Sequence, residues 1–163
     1  GDRKPAPMNR PARGFTLLEL LVTLALLAIL STLALPGFTR LIHDQQLQSA
    51  ASELTVLLQM ARSEAINRRL TVTVQPREDA STTWNMTRNI TTSSGTTTET
   101  LRTLTLPDSV TVTPASPKIS FSPEGYQITS NQPQAVALEL TDSNTSTQYT
   151  IDVEASGLIH RAP

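Results

Sequence analysis

Gly14-Phe15-Thr16-Leu17-Leu18-Glu19 opens the longest apolar run of the chain. Residues 17–35 are apolar except for Glu19, Thr23, Ser31 and Thr32, and Glu19 is the only charge between Phe15 and Phe38. A helix spans a bilayer with about 20 apolar residues, so this run predicts a membrane helix. A lone carboxylate inside such a span costs on the order of a few kcal/mol. Glu19 therefore calls for a partner and is the first candidate functional residue.

Upstream, residues 1–14 carry Arg3, Lys4, Arg10 and Arg13 against Asp2. Secretory signals have an apolar stretch of about 7–15 residues followed by a small-residue cleavage site. Here the run is longer and no A-x-A site follows. The basic N-terminal flank predicts a cytoplasmic N-terminus and an exported C-terminal bulk. Met8 is read as the start of a short leader, residues 8–14.

The hexapeptide at residues 14–19 resembles the signal of type IV pilins and type II secretion pseudopilins. The resemblance implies cleavage by a prepilin peptidase between Gly14 and Phe15, then N-methylation of Phe15. Glu19 becomes the family's fifth mature residue, and Pro36 matches a proline of the family's apolar helix. A freed α-amine at Phe15 is cationic near neutral pH, with an ordinary pKa of about 7.7–8.0. Glu19 would neutralise such an amine, its own or a neighbour's, inside an apolar filament core. Stranding either partner costs several kcal/mol.

Pro36-Gly37 is expected to break or kink the helix, because proline lacks a backbone donor and clashes with the preceding turn. A second helical pattern follows. Leu47, Ala50, Ala51, Leu54, Leu57, Leu58, Ala61 and Ala65 share one face. Gln48, Ser52, Gln59, Arg62 and Ser63 are expected opposite, and Glu64 and Arg68 form an i,i+4 pair. The helix is read as residues 15–69, in two halves, 15–36 in the membrane and 37–69 amphipathic.

From residue 70 the period becomes two. Leu70/Val72/Val74, Leu104/Leu106, Val110/Val112, Ile119/Phe121, Val136/Leu138/Leu140 and Tyr149/Ile151/Val153 alternate with polar residues. Such Thr- and Val-rich alternation predicts half-buried antiparallel strands. Trp84 and Met86 suggest one short strand more. The low-complexity stretch TTSSGTTTET, residues 91–100, is expected to be a mobile loop. The prediction is α+β: a helix packed on one antiparallel sheet or two small ones, with residues 70–163 as the β-rich domain.

A narrower resemblance covers residues 58–74, LQMARSEAINRRLTVTV, which are similar to the helix-end signature of the GspH/FimT family of minor pilins and pseudopilins. Residues 119–125, ISFSPEG, resemble its strand-turn motif, and Gly157 stands at its C-terminal glycine turn. The small residues of Ala61-Arg62-Ser63-Glu64-Ala65 are read as letting the helix approach the sheet. The implied fold is type IV pilin-like, a long kinked helix with a C-terminal β-domain.

Composition narrows the chemistry. Without residues 1–14 the chain has 9 basic and 13 acidic residues, which disfavours broad electrostatic binding to nucleic acid. It has no cysteine, so disulfides and thiolate metal sites are excluded. No catalytic constellation, phosphate loop, cofactor site or metal site is expected. His43, beyond the proline, is read as solvent-facing or interfacial, and Glu78-Asp79 as a solvated pair in a turn. Some family members resemble DNA receptors with a basic Gly-Arg-x-Arg tail. Here the stretch reads Gly157-Leu158-Ile159-His160-Arg161, so His160 and Arg161 are weak DNA-binding candidates.

The resemblance implies a minor pilin of the inner membrane with a periplasmic domain, acting in initiation or tip assembly of a type IV pilus. Its partners would be the prepilin peptidase, other minor pilins or pseudopilins, and an inner-membrane assembly platform. An H-type pseudopilin of a type II secretion system is the alternative, and a DNA-binding minor pilin for uptake is a third reading.

Overall fold

The computed structural model describes residue 1 and residues 14–162. The predicted basic leader, residues 1–14, lies outside the described residues except for Gly1 and Gly14. The chain divides into two compact units, Gly1–Phe38 and Thr39–Pro163.

Helix α1 runs Leu17–Arg68. In the first unit every described side chain is exposed, in keeping with a segment whose natural surroundings are apolar. α1 is long and apolar enough to cross a membrane, with a mean hydropathy of 2.4 in its most apolar stretch. Pro36 does not break it: the helix continues through Pro36 and Gly37. One proline removes a single backbone bond, and strongly helical leucine-rich flanks carry the helix past that loss.

α1 ends in a Schellman turn. The Leu70 N–H donates to the Ala65 carbonyl at 3.1 Å, and Arg69 takes a left-handed φ of 54°. Basic Arg68 sits in the last turn, where the helix dipole favours a cation, and bonds Glu64 as expected.

In the second unit the eight predicted apolar positions of α1, Leu47 to Ala65, are all buried. They meet two antiparallel sheets. One has the order β3-β2-β1-β5-β6-β7, with β1 Val72–Pro76, β2 Thr83–Thr92, β3 Gly95–Thr105, β5 Ile119–Phe121, β6 Gln127–Thr129 and β7 Gln132–Pro133. The other has the order β10-β9-β8-β4, with β4 Val110–Thr113, β8 Val136–Asp142, β9 Gln148–Val153 and β10 Ile159–Ala162. Val72, Val74, Trp84, Met86, Ile119, Phe121, Leu138, Leu140, Ile151 and Val153 join the α1 stripe in one core.

Residues 91–100 are not a loop. They form the tip of the β2–β3 hairpin, with Thr92 opposite Gly95 across a two-residue turn. Threonine is a strong strand former, and here that propensity outweighs low complexity. The Thr92 hydroxyl donates to the Gly95 carbonyl at 3.0 Å, and the Arg88–Glu99 ion pair ties the arm at its base. The strand at Trp84 and Met86 is therefore ten residues long, not short.

Candidate functional site

At the N-terminus, Thr16 caps α1. Its hydroxyl accepts the Glu19 N–H at 3.1 Å, while its carbonyl accepts the Leu20 N–H at 3.1 Å. Thr16-x-x-Glu19 is the residue pattern of a capping box, in which the third helical residue is a carboxylate near the helix's positive end. Glu19 stands out in the sequence by its charge, whereas Thr16 is legible only through its spacing from Glu19. Phe15 is 80% exposed and Gly14 has open space where a side chain would project. The Gly14–Phe15 peptide therefore stands clear, with a carboxylate one helical turn further on.

At the other end of α1, Arg62 was expected on the solvent face but is half-buried. Its Nε donates to the Gly125 carbonyl at 3.0 Å, and its Nη2 to the Ser156 carbonyl at 3.4 Å. One guanidinium thus joins the helix to the β5–β6 and β9–β10 turns, a use of its fan of donors that small helix residues do not explain. Ala61 and Ala65 are buried, in keeping with the close helix approach. Both turns have glycine at positive φ, Gly125 at 88° and Gly157 at 84°. The three quoted motif segments thus converge on one junction.

His43, expected to be solvent-facing or interfacial, is half-buried. Its Nδ1 lies 3.1 Å from Asp142 Oδ2, and the Asp142 side chain is fully buried. Burial pushes the Asp142 carboxyl up. The Asn144 N–H, the Ser109 hydroxyl, the Asn144 amide and His43 outweigh it and hold the group below its ordinary value. Next to His43 on α1, Asp44 accepts the Thr145 hydroxyl, and the hydrogen bonds of Thr145 and then Thr147 lower its pKa. The β8–β9 turn is thereby pinned to the helix.

The two tail residues, His160 and Arg161, are engaged within the chain. His160 Nε2 lies 2.8 Å from Glu154 Oε1. Arg161 hydrogen-bonds Ser52 on α1 and stacks over the Tyr149 ring at 5.7 Å. Arg77 and Asp79 pair on the surface, and no group of three His, Asp or Glu side chains suited to a metal occurs among the described residues.

Residues 50–157 match the family model of the type II transport protein GspH, more than half of the chain. This chain belongs to the GspH family. In this GspH-family chain, residues 9–35 also match the prokaryotic N-terminal methylation motif. Its fold is shared with the type IV minor pilin FimU of Pseudomonas aeruginosa, at 24% identity and a TM-score of 0.58, over 74% of this chain and 91% of FimU. It is shared equally with the minor pseudopilin EpsH of the Vibrio cholerae type 2 secretion system, at 12% identity and a TM-score of 0.54, over 72% of this chain and 96% of EpsH. No curated protein matches the chain. The α+β architecture expected from the periodicity, and the pilin-like fold that the resemblance implies, are the ones found, and pilins and pseudopilins are structural subunits.

Proposed function

We propose that this chain is a minor pilin that contributes to initiation or tip assembly of a type IV pilus after prepilin peptidase processing. The observation that carries this is the helix start: an open Gly14–Phe15 bond, the Thr16 cap, and Glu19 as the only charge of an exposed apolar helix half. Cleavage there would remove a basic leader that would otherwise bring charge into an apolar filament core. It would also free an amine at Phe15, methylated in this reading, within reach of a carboxylate partner from the same or a neighbouring subunit. The chemistry is assembly, and the N-terminus is cytoplasmic with the β-domain periplasmic before extraction from the inner membrane. Other minor pilins and an inner-membrane platform are the partners.

The second reading, an H-type pseudopilin of a secretion system, is favoured by the family's description and by the likeness to EpsH. The higher identity to FimU supports the pilus. DNA uptake is the least supported reading, since His160 lies against Glu154 and Arg161 against Ser52 and the Tyr149 ring within the chain.

Crosslinking of the full-length protein in cells, with mass spectrometry of its partners and N-terminal peptide, tests this. The reading predicts minor pilins as partners and a methylated Phe15 terminus. Secretion pseudopilins as partners would select the second reading, and an intact leader with neither partner set would refute both. A bulky residue in place of Gly14 should hold the protein in the membrane; efficient filament entry would count against the proposal.

A further inference from the structure

The side of the six-stranded sheet that faces away from α1 is recessed. Val72 and Val74 are buried in the core, so Thr73 between them points outward. The same alternation turns Ser120 outward between Ile119 and Phe121. Thr73 pairs in register with Thr87 on one side and Ser120 on the other, and Ser120 pairs with Ile128. Thr87 and Ser120 are each only 8% exposed although they turn away from the core. A cleft of about 410 Å³ opens over this row, within the range of about 300–1,000 Å³ usual for small-molecule sites. Its floor is Thr73 and Ser120, whose hydroxyls lie 2.9 Å apart. Ser130 and Asn131, both at left-handed φ, make the two-residue β6–β7 turn at one wall. Asn89 of β2 stands at the other.

The side chains around this cleft specify what it accepts. Lys118 is the only charged residue that lines it, and Ile128 the only apolar one. Lys118 lies two residues before Ser120 and makes no ion pair or hydrogen bond among the described residues. The remaining groups are hydroxyls and amides, which both donate and accept hydrogen bonds. They match a ligand that is itself rich in hydroxyls. A lone ammonium with no guanidinium beside it suits a carboxylate better than a phosphate, which recruits bidentate donors. The same face continues into a second cleft, where Arg77 is paired with Asp79 and Glu78 stands beside them. That end repels a second anionic group, so a polyphosphate backbone fits poorly. Neither cleft has an aromatic ring among its lining residues on which a nucleic-acid base could stack.

We infer that this cleft binds a sugar acid, with its single carboxylate on Lys118 and its hydroxyls on Asn89, Thr71 and the Ser130–Asn131 turn. Ile128 meets the C–H face of the ring. The site lies on the opposite side of the sheet from α1, so occupancy leaves packing through the helix untouched. It stands apart from the assembly reading and does not depend on it.

The test titrates the purified full-length chain, held in detergent, with glucuronosyl-xylotriose, which carries one carboxylate on a neutral chain. Xylotriose, inorganic phosphate and a short single-stranded DNA are the comparisons. Lys118 is the only lysine beyond residue 14, so its acetylation, followed by mass spectrometry, reports occupancy, with Lys4 as internal control. The acidic sugar should slow acetylation of Lys118 and not of Lys4, and should bind at least about tenfold more tightly than xylotriose. Lys118→Gln should erase that factor, which corresponds to roughly 1.4 kcal/mol, and Lys118→Arg should keep most of it. Asn89→Ala should weaken both sugars alike, by about threefold, as loss of one neutral hydrogen bond implies. Free glucuronate binding as tightly as the chain would point to a free sugar acid, and tighter binding of the chain to a glycan residue; both support the site. Equal binding of the acidic and neutral sugars, or no protection of Lys118, would overturn the inference. So would stronger protection by phosphate or by DNA, which would make Lys118 a general anion contact.

Discussion

Gly157 and Gly125 pack so closely that a Cβ added to Gly157 would lie 1.8 Å from the Gly125 carbonyl oxygen. The Arg62 guanidinium reaches the same spot, 2.7 Å from that Cβ position. The helix end and two turns therefore meet at backbone contact, with no room for a side chain between them.

Gly157→Ala must move backbone and hold alanine at a positive φ. It should destabilise the protein by about 2–4 kcal/mol, seen as a lower urea midpoint. At Gly125 the added Cβ meets the flexible end of Ile66, at 2.8 Å. Gly125→Ala should cost less, about 1–2 kcal/mol. Equal costs at the two sites would contradict the close backbone contact.

Arg69 supplies the left-handed residue of the α1 C-terminal turn without being glycine. Its side chain is exposed. Arg69→Gly should stabilise the fold by about 0.5–1 kcal/mol, by relief of the Cβ clash that a left-handed residue suffers. Thermal unfolding of the two proteins side by side measures this; a lower midpoint for the variant would mean that Arg69 holds a contact of its own.

The Asp142 carboxyl titrates below its ordinary value of 3.8 in the folded protein. The unfolded state therefore binds the proton first as the pH falls. The stabilisation is complete above the unfolded value and is lost as the pH drops through the lower folded one. Stability should fall below about pH 4, with Asp44 contributing in the same direction. Asp142→Asn should lose about 1–3 kcal/mol at pH 7 and show a shallower acid limb. Parallel acid limbs for wild type and variant in chemical denaturation would rule this out.

Glu19→Ala should insert in the membrane like the wild type yet enter filaments poorly, because a buried amine at Phe15 would lose its carboxylate. Fractionation reports insertion and sheared-filament blots report entry; normal entry would dismiss the role. Thr16→Val should fray the helix start by about 0.5–2 kcal/mol, while Thr16→Ser keeps the cap. Amide exchange at Leu18–Leu20 positions in detergent would separate the two.

Local pattern alone was enough for much of this molecule. The apolar run with Glu19, the stripe from Leu47 to Ala65 and the alternating strands were all legible, because burial imposes periods of 3.6 and 2 on neighbouring residues. The pairing of residues 91–100 was not, since a threonine run has no apolar alternation to reveal its partner strand. Nor were the roles of Arg62, His43 and Arg161. Their partners lie 63, 99 and 109 residues away along the chain. A polar side chain announces that it needs a partner but not which one. Only the folding of α1 against both sheets brought Gly125, Asp142 and Ser52 within hydrogen-bonding distance of them.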